Sequence, residues 1–511
     1  MPGTNPERQD VLIVGAGPAG LLAACELARY GVMPRVVERQ LVPHRQARAT
    51  AIQPAGLELL ARAGVLAPFL EASVHVRRTR FFGPGCTEIA VSDFAGICCP
   101  YEYQCSLPQW QTESILLAHL HRLGGAVERG TTVMSVDDDA DRLKVILRRP
   151  NAEMETTLAR YVLGAGGAHS ITRHSMHESL GGDTYPGRYI AADIRTDLPH
   201  EPEESLIFVS GDGFTLLAPL PEDRWITFVN LEETPPIDVA DTPELAQVSA
   251  LLNRCIGVNA HVHDMRWAAQ FAMHKRVTQR FADGRRFLMG DAAHLSSPIA
   301  GEGLNSALMD AVDIAGKLAL VLRGAAMPTL LASYAAERSL ADHHVLAVSD
   351  SLHRRVMDLV AACAGGGVPT AKPPSRAQML ELARARAMLD VTYAGSELVG
   401  EYIGPGVPPP HAPAPGALFP DRIRLTGTSH HLLTFGEVAA LDRFRGRWKG
   451  LVSVQDGTGA GLDAARAGVC DGGAVLVRPD GFIGFRAVPA DTAGMNALDV
   501  HLASYLVPAR C

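Results

Sequence analysis

Val11-Leu12-Ile13-Val14 is an unbroken apolar run, the pattern of a strand covered on both faces. The period then changes. Leu21, Leu22, Cys25, Leu27 and Ala28 form an apolar stripe along Pro18 to Tyr30, which predicts a helix, and Gly31 ends it. Arg35-Val36-Val37-Glu38 predicts a second strand, so the chain opens with a βαβ unit. Downstream, the pattern predicts a helix over 111–123, strands over 127–148 joined by the acidic turn Asp137-Asp138-Asp139, and a buried strand over 158–164. From about 185 to 275, runs such as Ser205-Leu206-Ile207-Phe208-Val209 and Trp225-Ile226-Thr227-Phe228-Val229 alternate. They predict an antiparallel sheet with one exposed face. Phe287-Leu288-Met289 returns to a buried strand, followed by helices over 303–323, 330–360 and 376–390. The stretch GPGVPPPHAPAP, residues 404–415, cannot join helix or sheet interiors and reads as a linker. Beyond it, Ala474–Arg478, the turn Pro479-Asp480-Gly481 and Phe482–Arg486 predict a hairpin.

Composition narrows the class. Of 511 residues, 47% are hydrophobic and 20% charged, which excludes a wholly disordered chain. A net charge of −8 lacks the footprint of a nucleic-acid binder. Nine cysteines are too few for a disulfide scaffold and fit a reducing compartment. Met1 to Asp10 carries no signal-peptide pattern, and no run of about 18 apolar residues occurs. A soluble, cytoplasmic protein with no membrane partner is expected. His261 and His263 share one face of a strand beside Asp264, but no third ligand stands at a characteristic spacing, so no metal is expected. Cys98-Cys99 and Cys105 match no redox spacing and read as inert thiols. G-x-S-x-G and H-E-x-x-H are absent, against the common hydrolases and zinc proteases.

Two glycine clusters carry the chemistry. Gly15-Ala16-Gly17-Pro18-Ala19-Gly20 is a G-x-G-x-x-G element that follows a buried strand and opens a helix, with Glu38 ending the next strand. That context is the dinucleotide fingerprint. Gly15 permits the tight turn, Gly17 lets a pyrophosphate approach the backbone, and Gly20 allows close packing. Glu38 accepts from a ribose hydroxyl, with Arg39 beside it. In the second cluster, Arg286 to His294 is a strand running into Gly290-Asp291, then Pro298 and Gly301-Glu302-Gly303-Leu304-Asn305 lead into the long helix. Asp291 stands where a carboxylate reaches a ribityl hydroxyl. The helix start aims its positive end at a ring that gains negative charge on reduction. His294 reads either as structural or as a hydrogen-bonding group near that ring.

Together these segments resemble the FAD-dependent aromatic hydroxylases of the para-hydroxybenzoate hydroxylase type, in their phenol and polyketide hydroxylase branch. GAGPAG with Glu38, Arg48-Ala49 with Glu58, Leu107-Pro108-Gln109 with Thr112-Glu113, GRRFLMGDAAHLSSPIAGEGLNSALMDA, and Ala474 to Arg486 carry the resemblance. It implies an α/β fold with a Rossmann-like FAD-binding domain (about 1–75, 105–180 and 277–403). Interleaved with it is an antiparallel substrate-sheet domain (76–104 and 181–276). A linker at 404–415 and a thioredoxin-like domain at 416–511 complete the chain. That last domain holds no C-x-x-C and is expected to support folding or assembly.

By the same resemblance, Gly15, Gly17, Pro18, Ala19, Gly20, Glu38, Arg39, Arg48, Gln109, Asp291 and Gly301 bind FAD. Gly303, Leu304 and Asn305 lie along the flavin, and Pro298 beside its reactive face offers a backbone carbonyl to a substrate hydroxyl. NADPH or NADH binds transiently and reduces FAD, O2 adds at C4a, and the peroxyflavin passes an oxygen atom to a small aromatic substrate. Phe214, Trp225 and Phe228, with the 97–107 loop, are candidates for the substrate wall, although strand aromatics usually pack inward. Baeyer–Villiger insertion or epoxidation on the same scaffold, and a non-catalytic flavoprotein, are the alternatives. A monomer or homodimer is expected. The chain departs from the family at Gly166, where aspartate is usual, at Ala55, where many relatives carry arginine, and at Asp313, where many carry asparagine.

Overall fold

The computed structural model describes residues 8–43, 45, 49–198, 200–231, 242–257, 260–364, 375–405, 413–419, 425, 427–470 and 472–508. The proline-rich linker reading falls largely on 406–412, outside the described residues, as does Arg48.

The strand Arg8–Val14 pairs in parallel with Arg35–Glu38 on one side and with Met154–Gly164 on the other. Val127–Arg129 and Arg286–Leu288 extend this parallel core outward. The helix Pro18–Arg29 covers it, burying Leu21, Leu22, Cys25 and Leu27. The long helix Gly303–Leu322 packs against that helix and is buried along nearly its whole length. Being apolar almost all round, it can only run through the middle of the molecule.

A second, seven-stranded sheet takes strands from two stretches of chain. Arg78–Gly83 and Thr87–Asp93 join five strands between Arg188 and Phe271. One face is covered by the helix Leu245–Ile256, which packs Val248, Leu251 and Leu252 against Ile194, Leu217, Trp225 and Val229. The other face carries Leu216, Ala218, Ile226 and Phe228. The predicted one-sided exposure is thus replaced by a helix on one side and a cavity on the other.

The C-terminal stretch forms a five-stranded mixed sheet. The predicted hairpin is present as Gly473–Val477 antiparallel to Ile483–Val488. An edge strand, Gly400–Ile403, joins from before the linker and pairs in parallel with Ile483–Val488. The break in composition at 404 therefore does not coincide with the edge of this sheet.

A buried ionic cluster fastens the hairpin to the central helices. Arg478, just before the hairpin turn, meets Glu337 with two parallel hydrogen bonds of 2.6 and 2.8 Å. Glu337, on the helix Ala332–Ala364, also accepts from Lys317 Nζ at 2.5 Å and from Ser396 Oγ at 2.5 Å. Asp313 accepts from Lys317, and Asp480 from Arg478. Burial pushes the Asp313 carboxyl up to about 7, against the pull of Lys317. Fork geometry and complete pairing are what let such charges sit in the interior. The cluster spans residues 313 to 480, so docking of the C-terminal sheet and placement of the central helix are one packing event.

Candidate functional site

A single cavity of about 1920 Å³ runs between the two sheets. Its first end is the turn after Arg8–Val14. Gly15 has φ +108°, and a Cβ there would overlap the Ala165 carbonyl. A Cβ on Gly20 would overlap the Gly15 carbonyl, so helix and strand touch backbone to backbone. Gly17 differs. A Cβ there meets nothing within 4 Å, and the residue lines the cavity. Glu38 also lines it, and its carboxylate braces the turn by accepting from Ala16 N–H at 2.9 Å and Gln40 N–H at 2.9 Å.

The middle of the cavity is lined by Gly290, Asp291, Pro298, Gly301, Gly303 and Leu304. This segment is held from behind by buried charge. Asp310 accepts from Gly290 N–H at 2.8 Å, from the His294 ring at 2.8 Å and from Arg338 Nε at 2.6 Å. Arg338 continues to Asp342 at 2.8 Å and the Tyr393 hydroxyl at 3.1 Å. Burial opposes charge on His294, but Asp342 and Asp310 outweigh it and hold the ring up to about 9. His294 is buried and does not line the cavity, so its role is structural. Arg173, from the middle motif, donates to the Ala292 carbonyl at 3.0 Å and the Ala168 carbonyl at 2.6 Å, tying two motifs together.

The far end is apolar. Phe81, Ile207, Leu216, Ala218, Phe228 and Phe271 come from the seven-stranded sheet, and Val356, Leu359, Met379 and Leu380 face them from two helices.

These groups fit FAD. The cavity is long enough to take a dinucleotide and still leave the apolar end free. The two helices that start at its wall, Pro18–Arg29 and Gly303–Leu322, have no side-chain cap. Their first-turn amides are therefore available to a phosphate and to an electron-rich ring edge. Gly17 leaves the approach to the first open.

Of the residues named from sequence, Gly15, Gly17, Pro18, Ala19, Glu38, Arg39, Gln109, Asp291, Pro298, Gly301, Gly303, Leu304 and Phe228 all line this cavity. Gln109 also donates to Glu113 at 2.9 Å. Other residues named from sequence are placed away from it. Asn305 does not line the cavity. Its Oδ1 accepts from Gln53 N–H at 2.8 Å, and its Nδ2 donates to the Ala51 and Gly301 carbonyls. The amide clamps the loop under Gly301. Trp225 faces the covering helix, packed in its cluster beside His200. Phe214 sits beyond the cavity, packed with Val356, Val360 and Met273. The wall drawn from 97–107 is also shifted. Gln104 alone of that loop lines the cavity, whereas Ala90 to Gly96 contribute most of the edge. Gly20 is set back behind the turn as a packing residue.

Three features escaped the sequence. Glu302 is buried, with neither carboxylate oxygen hydrogen-bonded among the described residues. Arg386 lines the cavity from the last helix before the C-terminal sheet. Asp197 joins His261 at 3.1 Å and His263 at 3.9 Å on the exposed edge of the seven-stranded sheet. The departure at Gly166 is not imposed by packing, since a Cβ there finds its nearest neighbour, Ser170 Cα, at 3.6 Å.

Fold and site together define an FAD-binding oxidoreductase. Residues 8–349 match the FAD binding domain family, and the chain belongs to it. It is 30% identical over 516 residues to a 12-dehydrotetracycline 5-monooxygenase/anhydrotetracycline 6-monooxygenase of Streptomyces rimosus, covering 94% of this chain and 96% of that one. It is 32% identical over 333 residues to an uncharacterized aromatic compound monooxygenase of Bacillus subtilis, covering 65% of each. Among solved structures, anhydrotetracycline hydroxylase from Streptomyces rimosus superposes with a TM-score of 0.74 at 28% identity, over 98% of this chain and 100% of that one. Aklavinone-11 hydroxylase in complex with FAD and aklavinone superposes at 0.77 with 25% identity, over 98% and 99%. These relatives are flavin-dependent monooxygenases of aromatic and polyketide compounds, and the chain is an enzyme of that class. No helix among the described residues is long and apolar enough to cross a membrane.

Two outcomes follow from the geometry. Gly17→Val adds a side chain whose Cβ meets no protein atom within 4 Å and which projects into the open approach to the helix start. The variant is expected to keep its far-UV spectrum and melting midpoint as apoprotein, while FAD affinity, read by fluorescence titration, falls about 100-fold or more. Glu302→Gln tests the buried acid. Burial raises the Glu302 carboxyl from 4.5 to about 8. Between those values the unfolded chain is ionised and the folded one protonated, so native stability falls as pH rises across that window. The glutamine variant lacks this loss. Its gain in apoprotein stability, read from urea or thermal melts, is expected to be near zero at the acid end and on the order of 3 kcal/mol at pH 7.

Proposed function

We propose that the protein is a monooxygenase that uses NAD(P)H and O2 to hydroxylate a phenolic or polycyclic aromatic substrate resembling a polyketide. The observation that carries this reading is the continuity of the cavity. A glycine turn and carboxylate suited to the adenosine end, an uncapped helix start suited to the ring, and an apolar chamber open into one another without a wall between. Bound FAD supplies electron transfer and activation of O2. The chain's own work is to bind, orient and dry the site. Gly15 to Ala19 and Glu38 hold the nucleotide end, with Arg39, Gln109 and Asp291 along the connecting chain. Gly303 and Leu304 bring the helix start against the ring, where its amides favour the negative charge of the reduced form.

Pro298 borders the reacting face. Its carbonyl accepts from Gly301 N–H at 3.1 Å, which leaves a second lone pair for a substrate hydroxyl. Phe81, Phe228 and Phe271 offer the flat apolar contact that a fused-ring substrate needs, and their apolar side chains would keep water from the reacting atoms. NAD(P)H reaches the ring transiently.

The test is anaerobic stopped-flow reduction of the FAD-loaded protein by NADPH, then NADH, with and without a panel of phenols and aromatic polyketides. Bleaching of the oxidised flavin band is expected to accelerate about tenfold or more with one class of aromatic, and that compound is expected to gain one oxygen on admission of air. A flavin that stays oxidised with every compound but still reduces photochemically rejects the reading in favour of a non-catalytic flavoprotein.

A further inference from the structure

The chamber wall furnished by the two helices Ala332–Ala364 and Arg376–Arg386 carries three arginines, Arg355, Arg376 and Arg386, and no carboxylate. Arg355 and Arg376 are exposed, and Arg386 is the inner one. Arg386 is held in place by neutral groups. One guanidinium nitrogen donates to Ser92 Oγ at 2.6 Å, another to Thr79 Oγ1 at 3.2 Å, and the group lies 4.8 Å from the centre of the Phe94 ring. These contacts fix its direction and leave its charge unbalanced.

Two carboxylates, Glu302 and Asp93, lie in its field, and among the described residues neither forms an ion pair with it. Asp93 lines the cavity from the neighbouring strand, but it is exposed, and its Oδ1 accepts from Ala95 N–H at 3.1 Å. Glu302 is buried without a hydrogen-bond partner among the described residues, and burial keeps it protonated up to about 8. Burial lowers the Arg386 guanidinium to about 10, so it is still charged at neutral pH. An oriented, buried cation without an ion-pair partner costs stability unless something anionic meets it. Guanidinium forks are matched to pairs of oxygen atoms.

We propose that Arg386 is a specificity residue that receives an anionic oxygen group on the edge of the aromatic substrate, a carboxylate or an ionised phenol or enol. The inference rests on the reading of this chamber as the substrate site. It adds to that reading the charge of the substrate and the edge by which it is held. Arg355 and Arg376, exposed on the same wall, draw the anion in from solvent.

The experiment is a binding titration on the FAD-loaded protein, oxidised and without reductant, read by perturbation of the flavin spectrum. The probes are a hydroxynaphthoate against its methyl ester, and an acidic fluorinated phenol against its methyl ether. The anion of at least one pair is expected to bind about 30-fold or more tightly than its neutral partner. Arg386→Met is expected to abolish that discrimination with flavin content unchanged, and Arg386→Lys to restore part of it. Preference within the naphthoate pair alone identifies a carboxylate, and within the phenol pair alone an ionised hydroxyl. Equal binding of both members of both pairs, or discrimination that survives Arg386→Met, overturns the proposal. Because no turnover is needed, charge discrimination without any oxygenated product leaves this inference standing and defeats the proposed reaction, and the reverse result does the opposite.

Discussion

Asp310 is fully buried, and three donors converge on it from three places in the chain. Gly290 belongs to the turn that presents Asp291, His294 to the strand after it, and Arg338 to the long helix that walls the far chamber. Burial raises the cost of its charge, but Arg338 and His294 outweigh that and hold the carboxyl down at about 2. An interior carboxylate tolerates no partial solution, because each missing partner leaves an uncompensated charge. The helix Gly303–Leu322 can therefore take only the position that satisfies all three donors. That position sets its uncapped start against the cavity. The second ionic cluster, around Glu337 and Arg478, repeats the arrangement one to two turns along and fixes the C-terminal sheet to the same helix.

From this constraint the division of labour follows. The nucleotide end is built from local backbone geometry, the middle from a turn pinned by buried charge, and the far end from two independent walls. The walls come from distant stretches of chain, and their side chains can vary without disturbing either ionic cluster. This is the physical reason a common scaffold can serve relatives named for anhydrotetracycline and for aklavinone. The reaction belongs to the cofactor, and the chamber chooses the substrate.

What the sequence disclosed was mostly local. The glycine turn, Glu38 and the Gly-Asp turn each lie within a short stretch whose spacing encodes its own geometry, and all of them line the cavity. The C-terminal hairpin is equally local. The misplaced aromatics show the limit. Trp225 and Phe228 are three residues apart on one strand, so alternation sends them to opposite faces. Only knowledge of which face the helix Leu245–Ile256 covers decides between them. Asn305 stands among residues that line the cavity, yet its amide is engaged by Gln53 and Ala51, some 250 positions away. Arg386 carried no motif at all. Its meaning comes from Thr79, Ser92 and Phe94, which the fold brings to it. The edge strand Gly400–Ile403 was hidden for a similar reason, since its partner follows the proline-rich stretch.

The central claim is that one cavity holds FAD and an aromatic ring together so that an oxygen atom from O2 passes to the ring. The most direct measurement is turnover of an accepted aromatic under isotopically heavy dioxygen in ordinary water, with the product weighed by mass spectrometry. The account predicts one heavy oxygen atom in each product molecule and none when the label is in the water instead. Product oxygen derived from water, or oxidation of the aromatic with no oxygen gained, would contradict it.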